Sequence, residues 1–385
     1  MKKKIAILGS TGSIGKTLLN VIKHEKDKYQ ITLLTANKNY QELIKQAKNF
    51  GVKNLIITNK EAYTKVKKYK KFKIYSNYDC LSKIFKKKNE FIMSSITGLD
   101  GLKPTLTSIR FTKNILIANK EAIICGWNLI EREMHRHKTK FIPVDSEHFS
   151  IWSLLQKKEE SKIDRIYITA SGGPFLNLPK KKLSKVSIKS ALNHPNWKMG
   201  KKISIDSATM MNKLFEVIEA KNIFKISYKK IKILIHPNSY VHAIIKFSSG
   251  ITKLLIHETS MKIPIFNALN LNNDKRKIIF KNLDIKKLNK LDFSYPDYDR
   301  FKLLKLLKIL PKKNSLFETV LVTVNDEVVK LFLDGKIKFT DIPNIITKII
   351  SLKEFQKYKK KYPDNLNKII NLNKFVRLKM QSLSV

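Results

Sequence analysis

Short apolar runs alternate with longer stretches of helical spacing through the first third of the chain. Residues 4–8 form a strand-like run that opens into a glycine-rich turn, and 16–24 then carry apolar residues at intervals of three and four. Residues 30–35, 54–58, 91–95 and 114–118 repeat the strand pattern, with a helix predicted over 40–49. Such alternation predicts parallel βαβ units in a doubly wound sheet. From about Phe141 the pattern changes. Residues 165–169, 232–235, 241–247 and 252–256 read as strands, and one long helix is predicted over 208–221. Residues 271–300 are charged and turn-rich, whereas 301–310, 315–334, 342–353 and 366–383 return to helical intervals. The expected class is therefore α/β. It has a doubly wound domain over 1–140, an α+β domain over 141–270 with a loop near 194–200 able to act as a lid, a linker over 271–300, and a small all-helical domain over 301–385.

No apolar run approaches the roughly 18 residues needed to cross a bilayer, so no membrane partner is expected. The chain enters a strand-like run at once and holds only two cysteines with no CxxC spacing, which reads as a cytoplasmic protein. A net charge of +46 would ordinarily point to nucleic acid. Only seven of the 77 basic residues are arginine, however, and the lysines are spread along the whole chain, so no nucleic-acid partner is expected. A positive field of this size still draws in phosphorylated small molecules.

Three glycines, Gly9, Gly12 and Gly15, stand between the first strand and the first helix in ILGSTGSIGKTLL. They let backbone N–H groups approach an anion at a helix N-terminus, although GxxGxxG is not the GxGxxG fingerprint and a plain βα turn is the bland alternative. The second strand ends in Thr35-Ala36-Asn37-Lys38-Asn39, where an NAD site usually places an acid; amide and cation there favour NADP. Asn119, Lys120 and Glu121 follow a later strand, at the edge where α/β sheets bind ligands.

Acids gather elsewhere in PVDSEHFSIW, residues 143–152. Read as extended, this segment turns Asp145 and Glu147 to one side. In HPNWKMGKKISIDSATMMNKLFEVIEA, residues 203–205 read as a strand. Asp206 and Ser207 then cap a helix on which Asn212, Lys213 and Glu216 share a face. Ser207, Asn212 and Lys213 offer a phosphate site. With Asp145 and Glu147, Glu216 would complete an all-oxygen cation site of the kind that selects Mg²⁺ or Mn²⁺ over Zn²⁺. The alternative for each acid alone is a surface carboxylate paired with one of many lysines. Ser171-Gly172-Gly173-Pro174 is a second backbone-rich anion candidate.

Taken in order, GSTGSIG, ITGLDGLKP, ANKEA, PVDSEH, SGGPF, HPNWKMGKKISIDSATMMNK, LIHP and PDYDR resemble the 1-deoxy-D-xylulose 5-phosphate reductoisomerase family over nearly the whole chain. The resemblance implies a Rossmann-like NADPH-binding domain, a catalytic domain, a helical C-terminal domain and a homodimer. The implied substrate is a small sugar phosphate. The reaction is NADPH- and divalent-metal-dependent isomerisation and reduction of 1-deoxy-D-xylulose 5-phosphate to 2-C-methyl-D-erythritol 4-phosphate, in non-mevalonate isoprenoid biosynthesis. By position it places metal ligands on Asp145, Glu147 and Glu216, and proton-handling roles on Lys120 and Glu147. Substrate contacts fall on Ser146, Ser171, His194, Ser207, Asn212, Lys213 and Glu216. Cofactor positions fall on Thr11, Gly12, Ser13, Ile14, Asn37, Lys38, Asn39, Asn119, Lys120, Glu121 and Gly200. The chain departs from the family pattern at Ala122, at Leu214, over 257–262, and at Thr323-Val324-Asn325-Asp326-Glu327, which replaces a usual N-A-A-N-E.

Overall fold

A computed structural model describes residues 1–155, 162–270, 280 and 282–382. The chain divides into two compact units: Met1–Ala122 with Leu129–Phe149 and Met261–Asn282, and Ile123–Asn128 with Ser150–Ser260 and Leu283–Val385. Positions 271–279 and 281 of the expected linker, and the last residue of the helix expected over 366–383, lie outside the described residues.

The first unit is built on seven strands: β1 (Lys3–Leu8), β2 (Tyr29–Ala36), β3 (Asn54–Ile57), β4 (Lys73–Tyr75), β5 (Asn89–Ser94), β6 (Thr112–Ile117) and β7 (Lys140–Pro143). They are all parallel, in the order β4-β3-β2-β1-β5-β6-β7. Helices on the crossovers bury both faces of the central strand, which explains why Ile5, Ala6, Ile7 and Leu8 form an unbroken apolar run with no exposure. The order reverses at β1 and β5, and ligands of such sheets bind beyond the strand ends at that point. Strand β4 has only three residues in a lysine-rich stretch, too few for periodicity to reveal.

The second unit carries β8 (Ile163–Ala170), β9 (Ile231–Ile235), β10 (Val241–Phe247) and β11 (Thr252–Ile256) in the order β11-β10-β8-β9. Strands β8 and β9 run parallel, and β10 is antiparallel to both β8 and β11. The C-terminal helices Phe317–Leu333, Asp341–Ile350 and Leu366–Ser382 follow the expected apolar intervals, burying Val320, Val324 and Val328, then Ile346 and Ile350, then Ile369 and Val376. Residues 302–308 form a 3₁₀ helix instead of an α-helix. No described helix is long and apolar enough to cross a membrane.

Two local expectations are corrected. Residues 203–205 are not a strand: they lie inside the helix Lys201–Ala208, so Asp206 and Ser207 sit near its end and do not cap the next helix. Three residues of Ile-Ser-Ile alternation are too short to separate the two periods. Nor is Glu147 on an extended segment. Pro143 ends β7, and Glu147 lies in the first turn of the helix Ser146–Leu154, where the Asp145 carbonyl already accepts from the Phe149 N–H at 2.8 Å.

Candidate functional site

The glycine-rich turn of the first unit is dictated by backbone contacts. Gly9 has φ +83°, and a Cβ on it would lie 2.8 Å from the Ser95 carbonyl oxygen at the end of the neighbouring strand β5. A Cβ on Gly15 would lie 2.5 Å from Ser10 Cα, so this helix packs against the turn as only glycine allows. Gly12 is the N-cap of the helix Ser13–His24 and has no side chain to satisfy the first N–H groups, which leaves them for an anion. Thr11, Ser13 and Ile14 flank that N-terminus. At the end of β2, the Asn37 amide donates to Thr58 Oγ at 3.0 Å, and the Asn39 side chain caps the next helix by accepting from the Glu42 N–H at 3.2 Å. Lys38 between them is exposed. The amide–cation–amide run therefore positions one lysine at the mouth of the sheet.

Asn119 does more than the sequence indicates. Its carbonyl oxygen accepts from the Ala122 N–H at 2.7 Å, capping the helix Lys120–His137, and its amide donates to the Ile96 and Gly98 carbonyls, the latter at 2.8 Å. This buried side chain sets where Lys120 and Glu121 begin their helix. Lys120 Nζ lies 3.0 Å from Asp145 Oδ2, and His148 Nδ1 lies 3.8 Å from Asp145 Oδ1. Burial alone would raise the Asp145 carboxyl; the Lys120 ammonium and His148 overcome it and hold the group well below the usual range. Ser146 donates to Glu147 Oε2 at 2.6 Å. The first unit thus brings Lys120, Asp145, Ser146, Glu147 and His148 to the end of β7. His148 reaches Asp145 because the segment is helical, which turns their i,i+3 spacing into a contact.

In the second unit, Ser171 follows β8 in a turn where Gly172 and Gly173 both have positive φ. A Cβ on Gly173 would lie 3.0 Å from Ala208 Cα and 3.1 Å from the Ser207 carbonyl oxygen, so this turn lies directly against the Ser207 end of its helix. Ser171 Oγ is 3.0 Å from His194 Nε2 and accepts from the Gly173 N–H at 3.1 Å. On its other side, His194 Nδ1 accepts from the N–H groups of Asn196 and Trp197, at 3.2 and 3.0 Å. Asn196 ties the 194–200 loop to Pro237 O at 2.6 Å and to Ser239 Oγ at 2.9 Å. Burial, with Lys213 adding to it, pushes His194 down to about 4, so the ring is neutral. Gly200 is the N-cap of the helix Lys201–Ala208.

The next helix, Met211–Phe224, begins after Met210, a buried non-glycine residue with φ +62°. That strained turn swings the chain between Ser207 and Asn212. Along it, the predicted face is realised: Asn212 Nδ2 donates to Glu216 Oε1 at 2.5 Å, and Lys213 Nζ lies 2.5 Å from Glu216 Oε2. Glu216 and Lys213 are 1% and 5% exposed, a burial that a carboxylate and an ammonium tolerate only as partners or around a ligand. The departures Ala122 and Leu214 are both fully buried and serve packing.

A glycine cradle at the switch point of a parallel sheet, followed by a mixed-sheet unit carrying serines, lysine and carboxylates, defines an oxidoreductase-type α/β architecture. Comparison narrows it. Three family models describing 1-deoxy-D-xylulose 5-phosphate reductoisomerase match the chain, the principal one over residues 5–126 and models of its C-terminal domains over 141–224 and 256–379. A reductoisomerase of that name from Pelagibacter ubique is 56% identical over 388 residues, covering all of both chains, and one from Clostridium tetani is 38% identical with 97% coverage of each. Among solved structures, a DOX-P reductoisomerase in complex with NADPH, fosmidomycin and magnesium superposes with a TM-score of 0.91 at 32% identity, covering 99% of this chain and 98% of that one. The reductoisomerase from Zymomonas mobilis in complex with NADPH gives 0.87 at 33% identity, covering all of both chains. The chain belongs to the 1-deoxy-D-xylulose 5-phosphate reductoisomerase family.

Proposed function

We propose that this protein converts 1-deoxy-D-xylulose 5-phosphate to 2-C-methyl-D-erythritol 4-phosphate, using NADPH and a divalent cation, in non-mevalonate isoprenoid biosynthesis. The observation that carries the reading is the Asn212–Lys213–Glu216 face, two polar groups converging on one fully buried carboxylate, in a helix that also buries Glu219 and Asn222. A purely structural helix has no need of that arrangement.

In this reading 1–140 binds cofactor, 141–270 carries the catalytic residues, 271–300 links and 301–385 supports. The cradle around Gly12 receives the pyrophosphate of NADPH, and exposed Lys38 meets the 2′-phosphate, with Asn37 and Asn39 beside it. The cofactor supplies hydride. Asp145, Glu147 and Glu216 each offer a carboxylate oxygen, a hard donor set suited to Mg²⁺ or Mn²⁺. A cation held there would stabilise negative charge on the substrate's carbonyl and hydroxyl oxygens. Ser171, Ser207, Asn212 and Lys213 hold the phosphate, and Ser146 contacts the sugar. His194, neutral and fixed through Nδ1, donates from Nε2 to Ser171, which aims that serine's own proton at a phosphate oxygen. Lys120 and Glu147 move protons at the reacting hydroxyls. Closing the 194–200 loop with Trp197 excludes water from the aldehyde before reduction.

The family resemblance also carries a homodimer, supported by the exposed Ile251 and Leu254 at the free edge strand β11. A cytoplasmic setting agrees with a sequence that holds only two cysteines, both buried. The test follows NADPH absorbance with 1-deoxy-D-xylulose 5-phosphate, with Mg²⁺ or Mn²⁺ and with chelator. Oxidation that requires both the sugar phosphate and the cation is expected. Oxidation indifferent to chelator would refute the carboxylate assignment, and folded, NADPH-binding protein with no turnover would refute the activity.

A further inference from the structure

The C-terminal helix Phe317–Leu333 reaches the serine-bearing helix Lys201–Ala208 through a buried polar contact with no catalytic duty. Asn325, fully buried, donates from Nδ2 to Asp206 Oδ1 at 2.8 Å. The other oxygen of Asp206 accepts from Lys202 Nζ at 3.0 Å, and Lys202 lies 3.1 Å from Asp326 Oδ1. Arg377, on the last helix, completes the chain of contacts, pairing with Glu327 and lying 3.5 Å from Asp326. Asp206 is 2% exposed and directly precedes Ser207. Immediately beyond, the chain makes the strained Met210 turn into the helix bearing Asn212 and Lys213.

We propose that Asn325 and Asp206 are positioning residues for phosphate recognition: their hydrogen bond fixes the end of the Lys201–Ala208 helix and so aims Ser207. The inference rests on the phosphate reading of Ser207 given above. Three features single out this contact. It joins elements more than a hundred residues apart at the one helix end that the Gly173 turn also touches. A buried carboxylate that loses one partner is strongly penalised, so the bond holds Asp206 in one orientation. Finally, Lys202 ties Asp206 to Asp326, the residue next to Asn325, so the two helices share a second polar link at the same place. A purely architectural contact would stabilise the helix pair without favouring the phosphate end.

The test uses the full-length enzyme with NADPH and Mg²⁺. Asn325→Ala is expected to raise the KM for 1-deoxy-D-xylulose 5-phosphate at least tenfold while the KM for NADPH stays within twofold. The exchange Asp206→Asn with Asn325→Asp, which reverses donor and acceptor, is expected to return the substrate KM to within threefold of the parent. Should Asn325→Ala fail to fold, Asp326→Asn tests the same network, with a threefold or greater rise expected. Ser207→Ala separates this inference from the reading beneath it. If Ser207→Ala leaves the substrate KM unchanged, the phosphate assignment falls and the positioning role with it. If Ser207→Ala raises the KM and the folded network variant does not, or if cofactor and substrate KM rise together, the positioning role alone is overturned.

Discussion

His194 Nε2 lies 3.0 Å from Ser171 Oγ while two backbone N–H groups point at His194 Nδ1. Since Nδ1 is occupied as an acceptor, the proton of the neutral ring belongs on Nε2, and the serine receives it. Nitrogen NMR of the full chain should show His194 as the Nε2–H tautomer at pH 7, with a titration midpoint near 4, where burial puts it. A midpoint near 6.5, or the opposite tautomer, would contradict the geometry.

Four histidines share this behaviour in the second unit. Burial pushes His194 and His257 down to about 4, lowers His236, and takes His242, stacked 3.6 Å from His257, well below its ordinary value. In the unfolded chain each binds a proton near pH 6.5, whereas the folded protein refuses it until lower pH. The unfolded state therefore holds more protons between about 6.5 and 4, and stability falls as pH drops through that window. Each histidine contributes up to about 1.4 kcal/mol per pH unit there, less for the half-buried His194, which solvent screens. Glu318 opposes them. Its carboxyl, pushed up to about 7 by burial, adds stability as pH falls from 7 toward the carboxylate range. Chemical denaturation at pH 7, 5.5 and 4.5 should show a net loss. His257→Asn should flatten the slope, and an unchanged slope would exclude that residue as a contributor.

Much of this was legible in the sequence, and the failures have two physical origins. The strands β1, β2, β5 and β6 declared themselves because burial on both faces demands unbroken apolar runs. Glycines at 9 and 15 are required by contacts with neighbouring backbone, which leaves a trace in sequence. The Asn212–Lys213–Glu216 face was readable because helical spacing fixes which side chains meet. What failed were segments of three to five residues. Glu147 and Ile203–Ile205 sit where an extended and a helical reading each fit the pattern, and the choice is made by capping and burial. Asn325 and Asp206 were opaque for another reason: a hydrogen bond between residues 119 positions apart has no local signature.

Asn119 tests how far one side chain can organise the start of the Lys120–His137 helix. Asn119→Asp keeps the oxygen that caps the Ala122 N–H but replaces the donor to Ile96 and Gly98 with a second acceptor facing their carbonyls. The cap alone is worth about 1 kcal/mol, and a buried acceptor facing acceptors costs about 1–3 kcal/mol more. Asn119→Asp is expected to destabilise the protein more than Asn119→Ser, measured as a lower urea midpoint, and to slow turnover by shifting Lys120. Equal midpoints would show that the amide donor contributes nothing.

Lys213 and Glu216 offer the sharpest separation of charge from shape. Their 2.5 Å contact is buried, so removing either partner alone strands the other, at a cost of about 3–5 kcal/mol, whereas removing both costs less. Glu216→Gln preserves the oxygen that Asn212 bonds but withdraws the negative charge proposed to hold the cation. We expect turnover to fall by about a hundredfold or more with NADPH affinity within twofold. Lys213→Met should instead raise the KM for the phosphorylated substrate. In a double-mutant cycle on folding stability, Lys213→Met with Glu216→Gln should be more stable than the sum of the single losses predicts, by about 1–3 kcal/mol. The same double variant should stay inactive, because recovered stability cannot restore either the proposed cation ligand or the proposed phosphate contact. Additive stability losses would mean that the two side chains do not depend on one another, and activity in the double variant would remove Glu216 from the reaction altogether.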